Sequence, residues 1–371
     1  MAKRRKYNSK QSKDRKPFFI FRVIYRLIII VSVASLFLSY IAVFINPAIF
    51  RIPMLFGLFF IPIVLINIAL FVCSILNKSK TAWSLLLFLL PTLFFVEYFY
   101  KVNNKNEHLT FEGEKIELLT YNVGRFQANR DGSSSIVSLN KIRNYIKNSH
   151  ADIVCLQEYQ TSDSAKNIMR FKEYPYQYHH FIKWNSSTYV GNITYSKYPI
   201  KRGESISFPK STNLSIYTDL MISGKIIRLY NSHLESYNLS FSSIIKKMSG
   251  NYDSISHELD NVHNRMLGRS IKRASQTNLV LGNIHTCPYQ AIICGDFNDT
   301  PMSYTYHKLS TGRIDTFMEA GKGFSSTYYR FYPLLRIDYV LIPSDFKVKN
   351  HETDKINYSD HYPVHTTFYI K

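Results

Sequence analysis

The chain has 371 residues and a formal net charge of +20, which is shared between a short apolar part and a longer mixed part. Residues 1–100 carry +11 and residues 101–371 carry +9. The length favours about two domains, and the second part is long enough for one large domain with its own core. Four cysteines without metal-ligand spacing argue against a zinc site and a disulfide framework.

Three apolar runs predict an N-terminal membrane anchor of three transmembrane helices. They cover residues 27–45, 52–76 and 82–100, and each supplies roughly the ~20 residues needed to cross ~30 Å of hydrocarbon. The third run is broken by Pro91 and Glu97, and it is the weakest because Glu97 lies near its end and its apolar core is short. A signal peptide is a poor alternative, since the charged leader and the first apolar run are too long and two further runs follow.

The distribution of basic residues predicts the orientation of this anchor. The tail, residues 1–26, holds ten basic residues, and the second loop holds Lys78 and Lys80, whereas the first loop holds Arg51 alone. The positive-inside rule then places the N-terminus in the cytoplasm and the C-terminal domain on the opposite side. In a bacterium this describes a multi-pass protein of the inner (cell) membrane with an extracytoplasmic C-terminal domain. The lipid bilayer is the predicted partner, and no obligate protein partner is evident.

The basic tail allows two interpretations. A topology signal that also meets anionic lipid is favoured, and a nucleic-acid-binding arm is the alternative. The +9 charge of the second part likewise suits anionic partners such as nucleic acid, phosphorylated metabolites or acidic headgroups, or it reflects a Lys- and Asn-rich composition alone.

The second part alternates strand-like apolar runs with polar turns after a linker at residues 101–115. Residues 138–149 have the apolar spacing of a helix, and residues 240–283 predict one or two more. Ile-, Tyr- and Thr-rich runs such as IELLTYNV, DIVCLQE, AIICGDF, STYYRF and RIDYVLIP predict strands. Many strands with few helices between them predict an α/β fold of two packed sheets flanked by helices over residues 116–371.

Polar residues recur where these apolar strands end, and strand ends can converge on one edge of a fold. The residues concerned are Asn122, Glu158, His233, Asp296, Asn298, Asp338, Asp360 and His361. Taken singly, each is more often a turn, cap or surface residue than a catalyst. Their occurrence together is what indicates a site.

This inventory suits metal-assisted hydrolysis of a phosphate ester. Mg²⁺ binds hard oxygen ligands through one or two carboxylates, and Glu158 with Asn122 as a neutral donor fits that need. A carboxylate that orients or deprotonates the attacking water is supplied by Asp296. An imidazole held by a carboxylate can stabilise charge on phosphoryl oxygens, and His361 with Asp338 fits that pair.

Seven segments resemble the endonuclease/exonuclease/phosphatase family in the family's order across residues 116–371. They are LLTYNVGRF, DIVCLQE, GNITYSKYPI, YNSHLES, ICGDFNDTP, RIDYVLI and YSDHYPV. The resemblance implies a four-layered α/β sandwich, two packed mixed sheets flanked by helices, with the site at one edge of the sheets. With the N-terminal anchor, the chain looks like a membrane-anchored bacterial branch.

The resemblance also implies a role for each site residue and a divalent cofactor, Mg²⁺ or Mn²⁺. The predicted metal-binding residues are Asn122, Glu158 and Asp360. Phosphate contacts fall to His233 and His361, with Asp338 pairing with His361. Water activation falls to Asp296, with Asn298 orienting the water or the phosphate.

These inferences predict a membrane-anchored, metal-dependent hydrolase of phosphoric ester bonds, and several questions stay open. The substrate is a phospholipid headgroup, a nucleic acid or a small phosphorylated compound, attacked as a diester or a monoester. The alternative is a catalytically silent phosphatase-like domain retained for binding or envelope structure. The basic segment 235–293 departs from the family pattern and is interpreted as a solvated helix face rather than a cover over the cleft.

Overall fold

A computed structural model describes residues 2–102, 106, 108–162, 168–237, 252–330 and 332–371. Helices occupy the N-terminal part, and two six-stranded sheets with helices on their outer faces follow. The helices are α1 (Ala2–Ile41), α2 (Ile52–Leu58), α3 (Phe60–Leu76), α4 (Thr81–Leu89), α5 (Leu93–Val96), α6 (Ser135–Asn148), α7 (Tyr252–His285), α8 (Tyr304–Ser310) and α9 (Thr316–Ala320).

The strands form two large mixed sheets and one small pair. Their bounds are β1 (Tyr100–Lys101), β2 (Glu114–Asn122), β3 (Ile153–Thr161), β4 (Tyr176–Lys183), β5 (Tyr189–Ser196), β6 (Ile200–Ser207), β7 (Leu214–Ile222), β8 (Lys225–His233), β9 (Gln290–Asp296), β10 (Arg313–Asp315), β11 (Gly323–Phe324), β12 (Asp338–Pro343), β13 (Lys347–Thr353) and β14 (Val364–Ile370). One sheet has the order β10-β12-β9-β8-β7-β6 and the other β13-β14-β2-β3-β5-β4, while β1 pairs with β11. The pairs β2/β3 and β8/β9 are parallel, and the other pairs are antiparallel.

The sheets are packed face to face because their central strands are apolar on both sides. In β2, Ile116 and Leu118 point into the core between the sheets, whereas Leu119 and Tyr121 point to the outer face, as the two-residue period of a strand requires. Helix α6 covers the outer face of one sheet, and α7 and α8 cover the outer face of the other. The predicted α/β fold of two mixed sheets flanked by helices is therefore confirmed.

The prediction of three full transmembrane helices is wrong, because the described helices are too short or too bent to supply three spans. Among the described residues, Ile20–Ile41 is long and apolar enough to cross a membrane, and α2 with α3 makes a second span only if their 76° bend at Phe59 is allowed. The third run, Thr81–Val96, is shorter than a full span. It is interrupted by a 3₁₀ turn at Leu90–Thr92, where Pro91 lacks the N–H that a continuous α-helix needs.

The apolar helices pack on each other and on the sheet domain. Tyr25 Oη lies 2.8 Å from Ser74 Oγ near one end of the bundle, and Tyr40 Oη lies 2.6 Å from Thr92 Oγ1 nearer the other. At Gly57, an added Cβ would lie 2.2 Å from the carbonyl oxygen of Met302. A glycine is therefore required where α2 meets the loop after β9.

Local predictions in the second part were met to different degrees. The helix predicted at residues 138–149 is α6, and the helical segment predicted at 240–283 contains the single long helix α7, while residues 238–251 lie outside the described residues. The described part of the run STYYRF, residues 326–330, is not a strand, since it makes a single bridge, Tyr328 to His361. The predicted linker begins with strand β1, because Lys101 pairs with Gly323.

Candidate active site

The eight predicted site residues lie at one edge of the two packed sheets. Parallel strands that run side by side end at the same edge, so the ends of β2 and β3 and the ends of β8 and β9 converge there. Strand β12 runs antiparallel to β9 and begins where β9 ends, which pairs Asp338 with Asp296. The loop before β14 carries Asp360 and His361. We call this edge, defined by the eight residues, the polar rim.

Contacts link most of these side chains directly. Asn122 Nδ2 donates to Asp296 Oδ2 at 2.9 Å and lies 3.3 Å from Glu158 Oε1. Asn298 donates from its backbone N–H to Asp296 Oδ1 at 2.8 Å and from Nδ2 to Oδ2 at 3.1 Å. His233 Nε2 lies 3.5 Å from Glu158 Oε1 and 3.8 Å from Asp296 Oδ2. Asp296 is thus the centre of the rim.

His361 is held between two carboxylates on the buried side of the rim. Its Nδ1–H donates to Asp338 Oδ2 at 2.9 Å, and its Nε2 lies 3.7 Å from Asp296 Oδ2. Thr327 Oγ1 accepts the N–H groups of Ile337 and Asp338, each at 3.0 Å, which fixes the start of β12. The imidazole therefore has one orientation, with Nε2 directed at the centre of the rim.

Burial divides the rim into a floor and a mouth. Asn122, Asp296, Asp338 and His361 are buried, whereas Glu158, His233, Asn298 and Asp360 are partly exposed. Glu158 reaches the mouth because β3 is irregular between Leu156 and Tyr159 and Glu158 itself has φ +50°. Strained backbone of this kind at a strand end re-aims a side chain and is concentrated at functional sites.

The electrostatics of the floor favour a protonated imidazole. Burial acts to lower the pKa of His361, but the neighbouring carboxylates of Asp338 and Asp296 outweigh it and hold the pKa well above the usual range. Burial raises the pKa of Asp296 to about 8, against the lowering effect of His361. The raised pKa of His361 favours an imidazolium that can donate a hydrogen bond from Nε2 to an anionic oxygen.

The mouth of the rim has the donor chemistry of a hard divalent cation. Burial raises the pKa of Asp360, and the charge of Glu158 raises it further, so the two carboxylates are close enough to repel each other. A cation bound between Glu158 and Asp360 would relieve the repulsion between these two carboxylates.

Two donor sets are available for such an ion. Asp296, Asp338 and His361 bring ligand atoms within 4.8 Å of one another, but His361 offers nitrogen and is already bonded to Asp338. Glu158 and Asp360 offer carboxylate oxygen, which Mg²⁺ prefers, whereas imidazole suits zinc and iron. The predicted third donor, Asn122, faces Glu158 through Nδ2, and its Oδ1 accepts the N–H of Gly124. The chemistry of the donors therefore fits Mg²⁺ at the set around Glu158.

The interpretation of the basic segment as a solvated helix face is wrong for Arg273. This side chain, on α7, is fully buried, and its Nε donates to Asp299 Oδ2 at 3.0 Å. It also donates to the backbone oxygen of Glu235, whose carboxylate pairs with Arg269 and Lys272. Lys246 and Lys247, also assigned to that face, lie outside the described residues.

Arg273 thereby links α7 to both loops that leave the rim, since Glu235 follows His233 and Asp299 follows Asn298. The sequence gives little sign of this role, because nothing in a basic run distinguishes an arginine that will be buried from one that will be exposed. Its partner, 26 positions later in the chain, is brought near by tertiary folding alone.

We expect Arg273→Ala to lower the free energy of unfolding by about 3–5 kcal/mol, because it leaves Asp299 with an uncompensated, largely buried charge. Thermal unfolding of the full chain in detergent measures the effect. Arg202→Ala is the control, since its guanidinium is exposed and pairs with Glu204, which is exposed as well. Equal midpoints for the two variants would show that the buried network carries no stability.

Comparison with known proteins gives one family and a set of similar folds. The model described as "Endonuclease/Exonuclease/phosphatase family" matches residues 119–361. Solved structures described as members of that family are similar over about two thirds of this chain. That from Beutenbergia cavernae has 15% identity and a TM-score of 0.48, covering 69% of this chain and 72% of its own. That from Bacteroides vulgatus has 16% identity and a TM-score of 0.48, covering 70% and 100%.

A further structure, from Leptotrichia buccalis, has 16% identity and a TM-score of 0.47, covering 68% of this chain and 98% of its own. No curated protein matches the sequence significantly. At these identities and TM-scores the solved structures say nothing about the activity of this chain.

Proposed function

The chain belongs to the endonuclease/exonuclease/phosphatase family, and we propose that its polar rim hydrolyses a phosphate ester by attack of a water molecule on phosphorus. The observation that carries the proposal is the convergence of Glu158, Asp296 and His361 at one edge. His361 Nε2 lies 3.7 Å from Asp296 Oδ2, and Asn122 Nδ2 bridges Asp296 at 2.9 Å and Glu158 at 3.3 Å. Members of this family are hydrolases of phosphoric ester bonds, and a divalent cation is their general requirement.

Each side chain has a role that its position supports. Asp296 orients the water and accepts its proton, and Asn298, bonded to both carboxylate oxygens, keeps Asp296 aligned. His361 donates Nε2–H to a phosphoryl oxygen, while Asp338 fixes its tautomer. His233 contacts the phosphoryl group from the side of Glu158. A hydrogen-bond donor placed where charge develops stabilises the transition state more than the ground state.

Glu158 and Asp360 would hold the divalent cation at the mouth of the rim, and Asn122, which donates from Nδ2 to Glu158 Oε1 at 3.3 Å, would orient the Glu158 carboxylate. Such an ion supplies positive charge that polarises the phosphoryl group. Mg²⁺ is the proposed ion because the ligands are oxygens, and Mn²⁺ accepts the same ligands.

Hydrolysis of bis-p-nitrophenyl phosphate by the full chain in detergent tests the proposal. We expect turnover with Mg²⁺ and its loss in EDTA, with recovery when Mg²⁺ is restored. Absence of turnover in a folded protein that also fails to bind the metal would favour the silent binding domain instead. The presence of all eight polar residues argues against that alternative.

We expect Glu158→Gln to raise the Mg²⁺ concentration for half-maximal activity by about 10- to 100-fold or more, since loss of an outer partner of a ligand already costs that much. The neutral amide is a weaker ligand, and the volume of the side chain is unchanged. Metal titration at saturating substrate measures the shift. Glu352→Gln, an exposed carboxylate on β13, is the control, and an unchanged requirement in Glu158→Gln would remove this residue from the metal site.

We propose further that the N-terminal helices anchor the chain in a lipid bilayer. Large apolar side chains on these helices are 64–81% exposed, among them Phe21, Val31, Leu87 and Phe94. Apolar surface of this extent is unusual on soluble monomers and marks contact with a partner or a membrane. Helix α1 supplies one crossing, and the bent pair α2–α3 supplies a second only if it spans as one segment.

The orientation of the anchor follows from which of its ends meets the sheet domain. The contacts Gly57–Met302 and Phe44–His307 lie at one end, whereas Tyr25 and Ser74, near the basic residues of the tail and second loop, meet at the other. A crossing therefore separates the basic end from the catalytic domain, which supports a cytoplasmic N-terminus and an extracytoplasmic rim in a bacterial inner membrane. A C-terminal alkaline phosphatase fusion that stays inactive would contradict this topology.

Two features of the chain bear on its substrate class, namely the charge of the second part and the membrane anchor. The +9 charge of residues 101–371 attracts any anionic substrate. A rim carried on a membrane anchor lies near lipid headgroups, so a phospholipid headgroup is the first substrate to test, followed by nucleic acid and small phosphorylated compounds.

A further inference from the structure

The loop that follows Asn122 contains a left-handed turn next to the polar rim. Three successive residues, Gly124, Arg125 and Phe126, have φ of +51°, +57° and +59°. L-residues avoid this region and visit it as single residues, because Cβ crowds the following carbonyl. Gly124 also leaves no space for a side chain, since an added Cβ would lie 3.0 Å from Asp360 Oδ1. Two strained residues in succession therefore require support from their surroundings.

Packing supports one of the two strained residues and leaves the other to be explained. Phe126 is 3% exposed and its ring packs edge-on against Tyr159 at 5.1 Å. The backbone N–H of Gly124 donates to Asn122 Oδ1 at 3.0 Å, which ties the turn to the rim. Arg125 has no comparable burial, so hydrophobic packing does not account for its conformation.

The left-handed turn directs Arg125 at the mouth of the rim. Its Nε lies 3.6 Å from Glu158 Oε2, longer than a hydrogen bond, and its guanidinium carbon lies 5.3 Å from the ring centroid of Trp184. The Nε atom is buried and has no hydrogen-bond partner among the described residues. By contrast, Arg228 makes a two-point pair with Asp219 at 2.6 and 2.8 Å. Arg125 is held in place with a donor still unused.

Trp184 supplies the surface that holds the guanidinium. Trp184 lies just beyond β4 in the hairpin to β5. Its backbone N–H donates to the carbonyl oxygen of Thr188 at 2.8 Å. A guanidinium over an indole face is attracted by the ring quadrupole, and this leaves its N–H groups free to point elsewhere. The side chain of Arg125 is 38% exposed, so the mouth is open to a ligand on that side.

We propose that Arg125, held by Trp184, is a substrate-binding residue that donates to an anionic oxygen of the phosphoryl group. The planar fork of guanidinium N–H groups matches phosphate oxygens, and its place beside Glu158 puts it within the same mouth. This inference rests on the proposed function. A purely structural partner of Glu158 would be expected to make a close ion pair, which the 3.6 Å separation does not show.

Inorganic phosphate is a probe that needs no turnover. The chain has two tryptophans, so a Trp83→Phe background leaves Trp184 as the fluorescent reporter. In the full chain with Mg²⁺, we expect a saturable fluorescence change on adding phosphate, with the affinity checked by calorimetry. Arg125→Ala should weaken binding by about 10- to 100-fold, the range for loss of a hydrogen bond to a charged group. Arg125→Lys should retain part of the affinity.

Kinetics on p-nitrophenyl phosphate, which has a single anionic group, show whether the bound oxygen belongs to the reacting phosphoryl. We expect Arg125→Ala to raise KM by about the same factor as it weakens phosphate binding, whereas Arg202→Ala, an exposed arginine paired with Glu204, should leave both unchanged. Phosphate binding through Arg125 without turnover of either p-nitrophenyl phosphate or bis-p-nitrophenyl phosphate would refute the proposed hydrolysis and keep the subsite. Turnover with KM and phosphate affinity unaltered in Arg125→Ala, or no phosphate binding by the parent chain, would overturn the subsite.

Discussion

Asp296→Asn is expected to lower kcat by about 10²- to 10⁴-fold, the contribution of a positioned general base. The amide keeps the size of the carboxylate and can still accept the backbone N–H of Asn298, which donates at 2.8 Å in the parent chain. It cannot accept a proton from water. Removing a buried carboxylate whose pKa is raised to about 8 by desolvation also relieves an electrostatic cost, so folding should change little.

Steady-state kinetics on bis-p-nitrophenyl phosphate measure the loss, and thermal unfolding shows whether the fold is kept. Asp345→Asn is the matched control because this carboxylate is exposed and bonds Gln290, far from the rim in the sheet topology. An Asp296→Asn variant with at least a tenth of the parent rate would exclude Asp296 as the base.

His361→Ala should lower kcat by about 10²- to 10³-fold, as removal of one preformed donor to a developing oxyanion does. The imidazole is positioned by Asp338 at 2.9 Å and by the ring of Tyr328, whose centroid lies 5.1 Å away. These contacts hold the ring in one orientation, with Nε2 directed at the centre of the rim. Alanine has no hydrogen-bond donor that could replace Nε2–H.

A cavity in the buried floor is the main complication for this variant. His361→Gln fills most of the same volume and can still donate, so it should fold well and recover part of the rate. His285→Ala, at the exposed end of α7, is the control for loss of a histidine. If His361→Ala and Asp338→Asn both kept the parent kcat, the pair would have a structural role and the proposed stabilisation of the phosphoryl oxygens would be excluded.

The polar rim could be located from the sequence because its residues stand where apolar strands end. Asn122 and Asp296 each end a central strand, and parallel pairing brings such ends to the same edge whatever the rest of the topology. The order of strands within each sheet could not be obtained in this way. A run such as AIICGDF is apolar on both faces and fits several neighbours equally well.

The features that the sequence did not reveal depend on tertiary contacts or backbone strain. Arg273 is buried because Asp299 and the carbonyl of Glu235 surround it, which apolar spacing along α7 does not record. Arg125 reaches the rim through three left-handed residues, two of which are not glycine. Pro91 is visible in the third apolar run, but hydropathy averaged over that run does not record the break in helical hydrogen bonding at Leu90–Thr92.

Anomalous diffraction from crystals of the full chain grown with Mn²⁺ and inorganic phosphate would test most directly whether these scattered side chains act on a single phosphorus atom. We predict a manganese peak bound to the Glu158 carboxylate, with the phosphate beside it in contact with His361. A manganese ion and a phosphate bound elsewhere on the molecule, with the polar rim holding neither, would contradict the proposed hydrolytic centre.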